Sequence, residues 1–126
     1  MAKTLSDKTP VRSGDVVLVC LDPTIGSEMK KTRPCLLVEA GSSPLNLVIV
    51  LPITDNSLGK RSSVYVPIDD LESAGLSKSS AVDCYQIRTI SLERIVKRLG
   101  HVGEHIQAAV KKRLAVILDI GEENLR

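Results

Sequence analysis

Between Leu47 and Thr54 the chain reads LVIVLPIT, the most apolar run it contains. A strand presents successive side chains to opposite faces. Leu47, Ile49, Leu51 and Ile53 then share one face, with Val48, Val50, Pro52 and Thr54 on the other. Thr54 is the first polar group on its face and stands at the strand end. A second run, VVLVCL over 16–21, is rich in β-branched residues and too short for a typical helix, so it reads as a strand buried on both faces. Further strands are expected over 34–40, 63–67, 81–89 and 97–101, separated by glycine, proline and serine turns. Residues 69–75 could form one helical turn, and Ser91 is placed to cap a brief helix through Ile95.

Only one segment carries a strong helical period. Ile106, Val110, Leu114 and Ile117, flanked by Ala109 and Leu118, recur at spacings of three and four. Glu104 suits its first turn and Gly121 suits the left-handed position beyond its end. Short strands joined by turns and followed by one helix predict a mainly β fold with helices, a small SH3-like β-barrel closed by a C-terminal α-helix. Residues 1–13 are polar and aperiodic and read as a flexible tail, leaving 14–126 as a single domain.

Composition narrows the function. The chain has no Trp and no Phe, only Tyr65 and Tyr85, which argues against a single-strand binder built on aromatic platforms and against an aromatic groove for Pro-rich peptides. A net charge of +2 means that any nucleic-acid site must be a local basic cluster. Cys20, Cys35 and Cys84 lie in or beside apolar runs without metal-ligand spacing, so free thiols in a reducing cytoplasm are expected, with no metal or other cofactor. No signal-peptide or membrane-spanning run is visible, so a cytoplasmic protein without membrane contact is expected.

Three fragments stand in order: GDVVLVCLDPTIGSEMKKTRP (14–34), VLPIT (50–54) and VDCYQIRTIS (82–91). Together the chain resembles the MazF/PemK family of toxin endoribonucleases, in register from about Gly14 to Ile120. The resemblance implies a homodimeric toxin of a type II toxin–antitoxin system. Such a toxin cleaves single-stranded mRNA at a short sequence, without a metal, and is held in check by a cognate antitoxin protein. Transesterification by the RNA 2′-hydroxyl would leave 2′,3′-cyclic phosphate and 5′-hydroxyl ends. The family's catalytic arginine and threonine fall on Arg33 and Thr54. Its substrate-contacting loop and glutamine fall on Gly26, Ser27, Glu28 and Gln86. Many relatives carry an aromatic in the first strand, where this chain has none.

The residues can perform that chemistry. A guanidinium offers a planar fork of donors to phosphate oxygens and stays cationic. Proline confines the preceding residue to extended backbone, so Pro34 pre-organises Arg33. With a pKa above ~12, arginine is a poor general base. Arg33 is therefore expected to stabilise the phosphorane, with water, Glu28 or a substrate group as base, and Thr54 to donate its hydroxyl. Lys30 and Lys31 are expected phosphate contacts, and Lys60-Arg61 share their chemistry. Alternation over 81–89 would put Gln86 on one face with Cys84 and Arg88. His101 and His105 read as structural or exposed, and Asp15, Asp69 and Asp70 as solvated or turn-capping. The rival class is a non-enzymatic toxin of the same fold that poisons DNA gyrase through the end of its terminal helix, here followed by 122–126.

Overall fold

The computed structural model describes residues 10–21, 32–56 and 63–121. Among them the chain runs through β1 (Asp15–Cys20), β2 (Thr32–Glu39), β3 (Leu47–Asp55), β4 (Tyr65–Pro67), α1 (Leu71–Ala74), β5 (Ser80–Asp83), β6 (Arg88–Ser91), β7 (Ile95–His101) and α2 (Glu104–Ile117). The strands pair antiparallel in the order β4-β5-β3-β2-β1-β7, with β6 also on β3. This is the expected mainly β class with a C-terminal helix. The hydrogen-bonded order is an open path, with no β4–β7 pairing recorded among the described residues. Helices pack on both end strands, α1 on β7 and α2 on β4, which shields edges that would otherwise invite pairing with another chain.

Both faces of the sheet are buried, as the apolar runs require. One core holds Val16, Leu36, Leu51, Ile53, Val82 and Cys84 under Ile106 and Val110 of α2. The other holds Val17, Val19, Cys35, Leu37, Val48, Val50, Ile90 and Ile95. The alternation expected along β3 is therefore present, with Leu51 and Ile53 in one core and Val48 and Val50 in the other. Val11 packs against the second core and the Ser13 hydroxyl donates to the Val38 carbonyl at 2.7 Å, so ordered packing begins ahead of Gly14.

Several boundaries differ from expectation. β2 begins at Thr32, placing Arg33 inside the strand. The single strand expected over 81–89 is two strands, β5 and β6, joined by a turn at Cys84–Tyr85. The cause lies in Cys84, which is drawn into the helix-side core while its N–H donates to Val64, and in Asp83, whose carboxylate ties down the turn. Ser91 does cap a helical turn, of 3-10 type over Leu92–Arg94. Beyond α2 the left-handed position is taken by Asp119 at φ 57°, not by Gly121. The Asp119 and Ile120 N–H groups then donate to Val116 and Ala115, satisfying carbonyls the helix leaves open.

Asp15 is the main surprise, because it is completely buried rather than solvated. Its Oδ1 meets His101 Nδ1 at 2.8 Å, and the Arg12 and Arg98 guanidiniums lie 3.9 Å from its oxygens. Its Oδ2 also accepts from the Arg12 N–H at 2.9 Å, so it does cap the turn before β1. One carboxylate thus links the entering chain, the start of β1 and the end of β7. Removing one partner of a buried ionic cluster leaves the other charges uncompensated. Asp15→Ala should lower unfolding stability by about 3 kcal/mol in urea titrations, and a loss no larger than that of an exposed aspartate would contradict this role.

Candidate active site

β2 and β3 are paired from Cys35↔Pro52 through Leu37↔Val50. Past that point their partners differ. β2 stays on β1 as far as Thr32, whereas β3 crosses to β5 through Ile53↔Val82, Thr54↔Ala81 and Asp55↔Ser80. Pro52, which has no N–H to donate, stands where the outer partner of β3 changes from β6 to β5. The strand ends part, and a cleft of about 380 Å³ opens between them, lined by Thr32, Arg33 and Pro34 on one side and Ile53, Thr54 and Asp55 on the other.

Arg33 and Thr54, distant in sequence, therefore share one cavity. Carrying the β2–β3 register two residues past its last recorded pair sets them directly opposite each other. They also belong to the same side of their strands, since alternation groups Arg33 with Cys35 and Thr54 with Pro52. Arg33 is exposed and Thr54 half-buried. Among the described residues no carboxylate lies within ion-pair distance of Arg33.

The third wall is Gly75 to Lys78 together with Ser80. Lys78 places a second cation in the cleft, and sequence reasoning gave it no role. Nothing local marks it: it follows a turn, and only the β3–β5 pairing brings it to Thr54. Its position is fixed by backbone contacts, with the Ser80 hydroxyl donating to the Lys78 carbonyl at 2.7 Å and the Asn56 N–H donating to Ser79 at 2.8 Å.

Gln86 lies in the β5–β6 turn and not on a strand, so it does not share a strand face with Cys84 and Arg88 as alternation suggested. Its side-chain amide donates to Asp83 Oδ2 at 2.8 Å, while Asp83 Oδ1 accepts from the Tyr85 N–H at 3.0 Å. Gly26, Ser27, Glu28, Lys30, Lys31 and the Lys60-Arg61 pair lie outside the described residues, as does 122–126. His101 and His105 pair with Asp15 and Asp69 and do not line the cleft. Asp70 caps α1, accepting from Ser73 N–H and Oγ, and those bonds hold its carboxyl below the usual range. Among the described residues no group of three or more potential metal ligands is present, and no helix is long and apolar enough to cross a membrane.

The small antiparallel sheet with its C-terminal helix has the fold of solved MazF toxins. A MazE–MazF assembly from Deinococcus radiodurans superposes with a TM-score of 0.71 at 19% identity, covering 88% of this chain and 98% of that one. MazF alone from the same organism gives 0.68 at 21% identity, over 87% of this chain and 97% of that one. In sequence, residues 12–118 match the family of PemK-like, MazF-like toxins of type II toxin–antitoxin systems, and the chain belongs to that family. It is 36% identical over 114 residues to endoribonuclease PemK of Escherichia coli, covering 88% of this chain and 84% of that protein. It is 29% identical over 110 residues to endoribonuclease EndoA of Bacillus subtilis, covering 86% of this chain and 94% of that protein.

Burial pushes the Cys35 thiol from an ordinary value of 9.0 up to about 11, against the opposing pull of Arg33 and then Arg88. Burial, with Asp83 adding to it, also takes Cys84 to about 11. Both thiols are thus protonated and unreactive near neutrality. Because the folded value exceeds the unfolded one, their contribution to stability is complete below pH 9 and is lost as pH rises towards 11. Denaturation midpoints should therefore fall between pH 9 and 11, and fall less steeply in Cys35→Val; equal slopes for the two proteins would count against the assignment.

Proposed function

We propose that this protein is a metal-independent, sequence-selective endoribonuclease that acts as the toxin of a type II toxin–antitoxin pair in the cytoplasm. The carrying observation is the shared cleft of Arg33 and Thr54, opened where β2 and β3 part. The named relatives are endoribonucleases, which supports the same reading.

RNA supplies its own nucleophile. The 2′-oxygen loses its proton and attacks the adjacent phosphorus, the P–O5′ bond breaks, and the departing 5′-oxygen takes up a proton. The protein's task is to align that attack and to stabilise the charge gathering on the phosphorane oxygens. Arg33 presents its donor fork from an extended, proline-braced backbone. Thr54 donates its hydroxyl from the opposite wall, and Lys78 adds a point charge from the third. Donors fixed in advance where charge develops are worth more than donors that must reorganise. Gly26, Ser27, Glu28, Lys30, Lys31 and Gln86 take up the flanking nucleotides in this scheme.

Solved relatives include an endoribonuclease with its cognate antitoxin and MazE–MazF assemblies, and we extend an antitoxin partner to this chain. We read the working unit as a homodimer, supported by the exposed apolar side chains Val116, Leu118 and Ile120 at the end of α2.

Purified protein with long single-stranded RNA in EDTA should yield discrete fragments with 5′-hydroxyl and 2′,3′-cyclic phosphate ends; intact RNA from the wild type across varied sequences would reject the proposal. Arg33→Ala should slow cleavage by about 10²-fold or more, the scale of losing one charge-stabilising donor. Arg33→Lys should recover little, because an ammonium lacks the fork. Lys78→Ala should be slower than wild type but faster than Arg33→Ala. Single-turnover rates on one defined cut site would rank the variants, and an Arg33→Ala enzyme at wild-type speed would remove Arg33 from the mechanism.

A further inference from the structure

Of the turn joining β5 to β6 only Gln86 enters the scheme above; Tyr85 beside it and Arg88 at the start of β6 have no role there, yet the turn is built to hold side chains outward. Asp83 is buried, and its two carboxylate oxygens bind the Tyr85 N–H and the Gln86 side chain. Tyr85 is 69% exposed. Cys84, one residue earlier, anchors the turn in the helix-side core. A rigid turn that spends a buried carboxylate on presenting an aromatic ring to solvent calls for a ligand with a flat face.

Register places this turn beside the cleft. β5 meets β3 at Ile53 and β6 meets it at Val50, so the intervening turn flanks Pro52. Pro52 is the cross-strand partner of Cys35, two residues from Arg33. Arg88, paired with Val50, projects from the same side of the sheet as Arg33, because Val50 and Cys35 lie in one core. Arg88 is exposed and has no carboxylate within ion-pair distance among the described residues.

We infer that Tyr85 and Arg88 form a subsite for one nucleotide next to the scissile phosphate, with Arg88 holding its phosphate and Tyr85 stacking on its base. This deepens the nuclease reading and rests on it. Successive phosphates of a single strand need successive cations, and Arg33 and Arg88 supply two on one face. Stacking on a lone ring tolerates any base, so the subsite adds grip and alignment without selecting a sequence. A protein segment could also meet an exposed tyrosine, but a cation beside it without a carboxylate partner favours a phosphate-bearing strand.

The test uses the full chain and a mixed-sequence 2′-O-methyl RNA oligonucleotide, which lacks the nucleophile and is not cut. With Tyr65→Phe as background, Tyr85 is the sole tyrosine, in a chain without tryptophan. Its fluorescence should be quenched as the oligonucleotide binds. Tyr85→Ala should weaken binding by about tenfold, and Tyr85→Phe should restore it. Arg88→Ala should lessen the slope of log affinity against log salt by about 0.7, with Arg88→Lys keeping it. A wild type that cuts RNA and binds the oligonucleotide, yet shows no quenching and an unchanged salt slope in Arg88→Ala, overturns the subsite and leaves the nuclease reading standing. A wild type that neither cuts nor binds removes both. Quenching by a co-purified protein partner, with none by the oligonucleotide, assigns the turn to that partner and likewise overturns the inference.

Discussion

Three backbone pairs, Cys35↔Pro52, Leu36↔Leu51 and Leu37↔Val50, decide what the rest of the molecule can do. Because side chains alternate along a strand, a slip of one residue in this register would turn every side chain of β3 to the opposite face. Leu51 and Ile53 would leave the helix-side core, and Thr54 would leave the side it shares with Arg33. The two apolar cores therefore hold the register, and the register holds the cleft. The site sits on strands, and its precision is inherited from packing against Val48, Val50, Leu36 and Leu51.

The cleft exists because β3 has three neighbours. Its first half lies between β2 and β6, its last residues lie against β5, and β2 continues along β1. A proline at the changeover is compatible with this geometry, as its missing N–H falls where no outer partner is paired. The polar walls of the cleft are thus the places where each strand stops satisfying the other. A phosphate group would meet Arg33 there, which has no carboxylate within ion-pair distance among the described residues.

Much of this was legible in the chain. The run at 16–21 read as a strand buried on both faces, the run at 47–54 as a strand with its side chains divided between two faces, and the period of Ile106, Val110, Leu114 and Ile117 as the covering helix. Arg33 and Thr54 were legible through fragments resembling the family, and their common cavity came only with the pairing of β2, β3 and β5. Lys78 was not legible, because its role depends on a strand pairing rather than on its neighbours in sequence. Gln86 and Arg88 were misplaced by strict alternation, since Cys84 and Asp83 break the strand from opposite sides of the sheet. Asp15 was misjudged because nothing in its local sequence announces the histidine that β7 delivers from 86 residues away.

Cleavage as proposed requires Arg33 and Thr54 to act on the same phosphate from the two walls of the cleft. A double-mutant cycle on the cleavage step measures this directly, using Arg33→Ala, Thr54→Ala and the double variant on one defined RNA. Groups that act as a unit give losses that do not multiply, so the double variant should be only slightly slower than Arg33→Ala. Losses that multiply in full would mean that the two side chains work apart, and the shared cleft would then be geometry without a catalytic meaning.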